Sequence, residues 1–324
     1  MLSLFTIYDS RFTVFMKFVK FHGYGNDYIV CEAAELAGVG DVAEFVRRAC
    51  DRHYGVGADG IATLERCDGG RSVDGGDGVA GDGAESGGGE AADFVLRIFN
   101  PDGSEAAMSG NGSRSAASFL YFQNLWQRAE LRLATKAGVK LYRLLDSNVR
   151  GRFRFAAEIG RPAFDSATIP LLTGAARERV VDFPLELQTG EIVRLTALQM
   201  CNPNACVFVD DFETSDWRRL GREIESHPSF PQRTNVEFVR VRDRAHVEVR
   251  VYERGVGPTL SSGTGACASA VAACVNGLTD RRVTVEMEGG RLEVEWRDDG
   301  EVLLTGEAEV IYRGEWLREG MRDE

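Results

Sequence analysis

The sequence lacks the features that mark membrane proteins and nucleic-acid-binding proteins. Its 324 residues contain no apolar run as long as the roughly 18 residues that a membrane-spanning helix needs. It also lacks an excess of positive charge, since 38 Lys and Arg stand against 50 Asp and Glu and the formal net charge is -12. No basic surface is therefore predicted to neutralise phosphates. We expect neither a membrane nor a nucleic acid as a partner.

The seven cysteines lack a pattern. They are odd in number, scattered, and never spaced Cys-x-x-Cys, which excludes a disulfide framework and a cysteine zinc site. Scattered thiols are typical of a reducing compartment. Residues 1–15, which we interpret as an N-terminal extension, lack the small-residue cleavage site of a secretory signal. We predict a cytoplasmic protein with reduced thiols.

Most of the chain has the composition of short strands. The strand candidates are β-branched or alternate in polarity, and they comprise residues 17–21, 61–66, 94–99, 180–183, 192–198, 236–241, 246–252, 283–286, 291–296 and 301–305. Residues 69–90 are almost entirely Gly, Asp, Ala, Ser and Glu, with little to bury. We predict that this segment is a disordered surface insertion.

Two segments differ from this strand pattern and match each other. One begins Ser109-Gly-Asn-Gly and the other Ser262-Gly-Thr-Gly, and each continues into small and apolar residues on nearly all faces. A helix that is apolar all round is a buried helix. Two such helices, each flanked by strands, predict an α/β (α+β) fold of two pseudo-symmetric lobes. Each lobe would be a curved, mostly antiparallel sheet wrapped around a central helix.

The two Ser-Gly-x-Gly turns indicate a site that binds an anion and transfers a proton beside it. Glycines at a helix start allow close approach to the unpaired N–H groups of the first turn, which together with the helix dipole favour an anion such as a carboxylate. If the two lobes face each other, a substrate carboxylate would lie between two helix N-termini. Ser109 and Ser262 would then flank the adjacent carbon. This geometry suits removal of a proton from one face and its return on the other.

Several further motifs follow in order between residue 16 and about residue 313. They are Phe21-His-Gly-Tyr-Gly-Asn-Asp-Tyr, Arg52-His-Tyr-Gly-Val-Gly-Ala-Asp, Arg97-Ile-Phe-Asn-Pro-Asp-Gly-Ser-Glu, Asn202-Pro-Asn, Arg233-Thr-Asn-Val and Tyr252-Glu-Arg-Gly-Val-Gly. Together with the two Ser-Gly-x-Gly turns, they resemble the motifs of the diaminopimelate epimerase family. The resemblance implies a homodimeric isomerase that converts LL- to meso-diaminopimelate in lysine and cell-wall precursor synthesis.

The resemblance also implies roles for individual residues. Ser109 and Ser262 occupy the positions of the family's two catalytic cysteines. The residues that would bind the amino-acid substrate are Asn26, Asn100, Asn202, Asn235, Glu253 and Arg254 through their side chains, and Gly110, Asn111, Gly263 and Thr264 through backbone N–H groups. No metal, nicotinamide or pyridoxal cofactor is implied, and Gly23-Tyr-Gly lacks the third glycine of a dinucleotide site.

We divide the chain accordingly into four parts. After the extension at 1–15 come an N-terminal lobe at 16–145, which contains the insertion at 69–90, and a C-terminal lobe at 146–303. Residues 304–324 form a final strand, which returns to the N-terminal lobe, and a tail.

The sequence departs from the family at the catalytic positions. A thiol ionises near pH 8.5, whereas a serine hydroxyl needs a neighbouring base. The family's histidine after Asn-Pro is Asn204, its glutamate after Gly257 is Pro258, and its glutamine after Asp59 is Gly60. Three interpretations remain: a serine-based epimerase assisted by Glu253 or a water, a racemase or isomerase for another substrate, and an amino-acid-binding protein without turnover. Cys201 is the candidate for a substitute thiol, whereas Cys267 lies too far into its helix.

Overall fold

The computed structural model describes residues 12–67 and 91–319. The predicted insertion at 69–90 and residues 1–11 of the predicted extension lie outside this part of the chain.

The described residues form one 17-stranded sheet with four α-helices and one 3₁₀ helix. The helices are α1 (Val42–Cys50), α2 (Gly110–Phe122), α3 (Trp217–Glu225) and α4 (Gly263–Val275), and the 3₁₀ helix is Ala33–Leu36. The strands are β1 (Phe12–Gly23), β2 (Asn26–Glu32), β3 (Ile61–Arg66), β4 (Phe94–Phe99), β5 (Glu105–Ala106), β6 (Glu130–Thr135), β7 (Gly138–Ser147), β8 (Arg152–Gly160), β9 (Val180–Glu186), β10 (Ile192–Met200), β11 (Asn202–Phe208), β12 (Asn235–Asp243), β13 (His246–Glu253), β14 (Gly257–Thr259), β15 (Arg282–Met287), β16 (Gly290–Trp296) and β17 (Val302–Glu319).

The strands follow the hydrophobic pattern of the sequence. Each predicted strand lies within a strand of the structure, except that the strand predicted at 301–305 begins one residue later, at Val302. In β8 and β13, buried and partly exposed residues alternate, as expected for strands with one face on the core. β1 begins at Phe12, before the predicted start at Met16, because it pairs with the end of β17 past a bulge between Val14 and Met16.

The chain contains the same arrangement twice. In the first repeat (β1–β8) the parallel pairs are β2–β3 and β4–β6, and in the second repeat (β10–β17) they are β11–β12 and β13–β15. The remaining pairings in both repeats are antiparallel. One long buried helix belongs to each repeat: α2 contacts β1–β4, and α4 contacts β10–β13. The predicted fold class, two lobes with a central helix each, is confirmed.

The long strand β17 joins the two repeats. Its first half pairs with β16 and β8, and its second half pairs antiparallel with β1 along the register from His22–Glu309 to Phe12–Glu319. Side chains of α2 and α4 contribute to one continuous apolar cluster. Both helices are therefore fixed relative to each other. No helix within residues 12–67 and 91–319 is long and apolar enough to cross a membrane.

Candidate active site

The two Ser-Gly-x-Gly turns pack directly against each other. A Cβ atom added to Gly110 would lie 3.6 Å from Cα of Gly263, and one added to Gly263 would lie 3.6 Å from Cα of Gly110. Ser109 and Ser262 are the N-cap residues of α2 and α4, with φ/ψ of -139°/125° and -139°/124°. The two helices thus point their N-termini at one place, between the repeats.

The two serines have different hydrogen bonds. Ser109 Oγ accepts from the backbone N–H of Gly112 at 3.1 Å and from the Tyr28 hydroxyl at 2.9 Å. Ser262 Oγ accepts from the backbone N–H of Gly265 at 3.1 Å. A phenol therefore donates to the serine of α2, whereas the serine of α4 has a different neighbour.

That neighbour is a buried carboxyl group. A Cβ atom added to Gly265 would lie 3.0 Å from Oε1 of Glu237 and 3.1 Å from Oγ of Ser262. One added to Gly112 would lie 2.9 Å from Cε1 of Tyr28. The third residue of each helix must therefore be glycine, because the space beside it holds Tyr28 in the first repeat and Glu237 in the second.

The asparagines of the second repeat form a chain of amide contacts. Asn204 Nδ2 donates to Asn202 Oδ1 at 3.1 Å, and Asn235 Nδ2 donates to Asn204 Oδ1 at 3.4 Å. Asn235 Oδ1 accepts from the backbone N–H of Arg254 at 2.9 Å. Asn204, which stands in place of the family's histidine, thus connects two of the predicted substrate-binding asparagines. The Arg254 side chain is exposed and donates to a carbonyl at 3.2 Å.

In the first repeat the asparagines are held by local partners. Asn26 Nδ2 donates to Asp59 Oδ2 at 2.8 Å, and Asn100 Nδ2 donates to Ser104 Oγ at 3.0 Å within its own turn. Asp59 also accepts from Arg52 Nη2 at 2.7 Å. Asp59 therefore orients Asn26, a role that the motif alone did not indicate.

Acidic groups from both repeats interact with one another and with Tyr28, the hydrogen-bond partner of Ser109. Burial raises the pKa of Glu253, and the nearby Asp59 adds to this. Burial likewise raises the pKa of Tyr28, with further contributions from Asp59 and Glu253. The pKa of Glu237 is raised by burial and by Glu253. The Glu253 carboxyl is therefore close enough to interact with residues of the other repeat.

Arg114 places a buried positive charge behind the two turns. Its side chain is 1% exposed, and Nη1 lies 3.6 Å from the added Cβ position of Gly110 and 3.9 Å from that of Gly263. Nη2 donates to Asn111 Oδ1, whereas Nε and Nη1 have no partner among the described residues. Burial lowers the pKa of Arg114. Arg114 was not among the predicted site residues, although an arginine within a helix of small residues is a sequence signal for it.

Burial disfavours a thiolate at Cys201, the candidate substitute thiol, and at Cys267. The residue Cys201 is exposed, but its thiol turns inward and donates to the Ile159 carbonyl at 3.4 Å. Burial raises the pKa of the Cys201 and Cys267 thiols, and Cys267 lies near Arg114. Within the described ranges, no group of three or more His, Cys, Asp or Glu is arranged to hold a metal ion.

Comparison with known proteins gives consistent matches. The family model of diaminopimelate epimerase matches residues 18–155 and 196–311. A diaminopimelate epimerase of Caldanaerobacter subterraneus is 39% identical over 301 residues, covering 93% of this chain and 99% of that protein. One of Desulforudis audaxviator is 40% identical over 305 residues, covering 94% and 100%.

Two solved structures share the fold. A hydroxyproline epimerase from Agrobacterium vitis with bound trans-4-OH-L-proline has a TM-score of 0.64 at 16% identity, covering 97% of this chain and 94% of that chain. A methylitaconate-delta-isomerase has a TM-score of 0.60 at 15% identity, covering 95% and 96%. At these identities, the similarity concerns the fold alone.

Proposed function

Because the chain belongs to the diaminopimelate epimerase family, we propose that it interconverts LL- and meso-diaminopimelate without a cofactor, by proton transfer at the α-carbon. The observation that carries this proposal is the direct packing of the two helix N-termini at Gly110 and Gly263. That packing forms one anion-binding site, with a serine, Ser109 or Ser262, at the start of each helix. A carbon held beside the anion is then reached from both sides.

The substrate's α-carboxylate is bound by the backbone N–H groups of Gly110, Asn111, Gly263 and Thr264. Arg114 reinforces this end, since its buried cation lies behind both glycines. A cation and two helix N-termini stabilise the carboxylate, and they stabilise the greater negative charge that develops on it when the α-proton leaves.

The remaining site residues bind the amino groups and the distal carboxylate. In this proposal Asn26, Asn100, Asn202 and Asn235 are hydrogen-bond partners, Glu253 accepts from an ammonium group, and Arg254 reaches the distal end. Glu253 suits its role because it comes from the second repeat and interacts with Asp59 of the first.

Ser109 and Ser262 exchange the proton in this scheme. A hydroxyl is a weak acid and a weak base, so each serine needs a neighbouring group to take or give a proton. The Tyr28 hydroxyl donates to Ser109 Oγ at 2.9 Å, which makes the Ser109 hydroxyl a better donor. Ser109 therefore acts as the acid when Ser262 acts as the base. We further propose that the protein is a cytoplasmic homodimer that serves lysine and cell-wall precursor synthesis.

Exchange of the α-proton tests the proposal. Purified protein incubated with LL-diaminopimelate in D2O should incorporate deuterium at the α-carbon and form the meso isomer. Ser109→Ala and Ser262→Ala should each abolish exchange, because each removes one of the two proton-transferring groups, while calorimetric binding of diaminopimelate persists. Exchange that survives both substitutions would refute the two-serine scheme.

A second function has a specific observation in its favour. The chain departs from the family's pattern at five positions, Gly60, Ser109, Asn204, Pro258 and Ser262, while the paired Ser-Gly-x-Gly turns are retained. This combination fits a protein that binds an amino acid without turning it over. Tight binding of diaminopimelate without deuterium exchange would establish it. Exchange restricted to another amino acid in a panel would instead establish a racemase of different specificity.

A further inference from the structure

Glu237 is a buried carboxyl group without a charged partner. It lies in β12, is 0% exposed, and forms no ion pair in the described part of the chain. Its Oε2 atom accepts from the Cys206 thiol at 3.8 Å. Its Oε1 atom has no hydrogen-bond partner among residues 12–67 and 91–319. Burying such a group is costly unless it is neutral or has a function.

The unpartnered oxygen faces the start of α4. Oε1 and the Ser262 hydroxyl oxygen lie 3.0 and 3.1 Å from the same point, the position of an added Cβ on Gly265. Ser262 uses its oxygen to accept from the Gly265 N–H, which leaves the hydroxyl hydrogen free to donate. A proton acceptor and a free hydroxyl thus border one small volume beside the helix N-terminus.

The geometry points to Glu237 as the proton partner of Ser262 in the two-serine reaction. This inference rests on the proposed function and deepens it, because it supplies the base that a serine needs and that Asn204 and Pro258 do not provide. Glu237 acts through Ser262 and does not itself contact the reacting carbon, so it is a positioning residue.

The proton transfers balance as follows. When the Cα–H bond breaks, its proton goes to Ser262 Oγ and the Ser262 hydroxyl proton passes to Glu237 Oε1, so that Ser262 stays neutral and Glu237 becomes the neutral acid. On the opposite face, Ser109 gives its proton to Cα and receives the proton of Tyr28. Solvent then returns a proton from Glu237 to Tyr28. The reverse reaction begins with neutral Glu237 and the Tyr28 phenolate.

The groups that face Glu237 set the direction of its pH dependence. Cys206 faces it from β11, Glu253 from β13 and Gly265 from α4. Burial and the Glu253 charge raise the pKa of Glu237. Since Glu237 must be ionised to accept a proton, the rate of LL-diaminopimelate exchange should fall as the pH decreases through this raised pKa, well above the usual value of about 4.3 for glutamate.

The direct test is Glu237→Gln, which keeps the shape and removes the proton acceptor. We expect kcat for α-proton exchange to fall by about 10²- to 10⁴-fold, with little change in KM and without the acidic limb of the pH profile. Glu223→Gln is the matched control, because Glu223 also has a buried unpartnered oxygen but lies in α3 and pairs with Arg219. An unchanged kcat and pH profile in folded Glu237→Gln would overturn the inference.

A second measurement is independent of turnover. In Ser262→Cys and Ser109→Cys, alkylation of the introduced thiol can be followed against pH by peptide mass spectrometry. We expect Cys at 262 to have the higher thiol pKa, because it faces Glu237, whereas Cys at 109 accepts from Tyr28. Adding Glu237→Gln should lower the pKa at 262 and leave the pKa at 109 unchanged.

The two measurements separate the two proposals. If the parent protein shows no exchange but the thiol at 262 responds to Glu237→Gln, the serine reaction fails and the pairing of Glu237 with position 262 stands. If Glu237→Gln does not fold, Glu237→Asp, which retracts the carboxylate by one methylene, should still lower the thiol pKa at 262. Equal thiol pKa values at 109 and 262, or no response at 262 to a change at 237, refute the pairing of Glu237 with Ser262.

Discussion

Replacing Ser109 and Ser262 with cysteine together should increase the rate of diaminopimelate exchange. A free thiol has a pKa of about 8.5, and a hydroxyl has a pKa close to that of water, about 15.7, so the two differ by roughly 7 pKa units. At 1.36 kcal/mol per unit, this is on the order of 10 kcal/mol for complete ionisation. The substituted positions lie at helix N-termini, where a thiolate is further stabilised.

Only part of this difference reaches the transition state. If about half of it is expressed, as the Brønsted slope for thiols of about 0.4–0.5 suggests, the gain is roughly 5 kcal/mol. The serines already have help from Tyr28 and Glu237, which reduces the gain further. We therefore expect an increase of about 10²- to 10⁴-fold, the range typical of general acid/base groups.

The assay is deuterium incorporation at the α-carbon of LL-diaminopimelate, followed by NMR in D2O. Ser118→Cys is the control, since it adds a buried thiol to α2 away from the helix start. The single cysteine variants should gain less than the double variant, because both faces of the carbon are used. A double variant no faster than the parent, with substrate binding intact, would refute the reasoning about the two positions.

Three further predictions concern stability and binding. Burial would raise the pKa of Asp27, but hydrogen bonds from Arg52 and Lys20 outweigh it and lower that pKa to about 2. The stability that this carboxylate contributes is present above pH 3.8 and is lost as the pH falls through about 2. In urea titrations, Asp27→Asn should therefore lower the free energy of unfolding by about 2 kcal/mol at pH 7 and leave it unchanged near pH 2. Gly112→Ala should displace Tyr28 from Ser109, lowering stability by about 1–3 kcal/mol and slowing exchange. Arg114→Met removes an unpaired buried cation, so the melting temperature should hold or rise while diaminopimelate binds about 10-fold or more weakly in calorimetry.

The sequence predicted elements whose signals are local. β13 and β16 alternate in polarity, and α2 and α4 each begin with a serine followed by glycines, so pattern and cap chemistry were sufficient. β11 was not predicted because it is buried on both faces and does not alternate. Its parallel pairing with β12 explains this, since parallel strands are covered on both sides.

The local sequence pattern also did not indicate Glu237 and Arg114, the two buried ionisable residues of the candidate active site. In the run Val-Glu-Phe-Val of β12, Glu237 occupies what reads as the solvent-facing position of an alternating strand. The strand is instead covered by α3 and α4, and Glu237 is buried beside Gly265. Arg114 likewise reads as the polar position of a helix. Long-range packing decides both positions, within the second repeat for Glu237 and between the two repeats for Arg114, and no local pattern contains it.

The two serines perform a structural task that cysteine performs less well. Ser109 and Ser262 cap α2 and α4 by accepting from the N–H three residues on, and serine ranks among the best N-cap residues, with a contribution of about 1 kcal/mol. A thiol is a weaker acceptor. The double cysteine variant should therefore be less stable than the parent by on the order of 2 kcal/mol while exchanging faster, so that the double substitution changes stability and exchange rate in opposite directions. A role in capping alone predicts that stability falls and exchange does not rise. Measuring the urea midpoint and the exchange rate on the same preparation thus separates a catalytic pair of serines from a pair that serves only the helix ends.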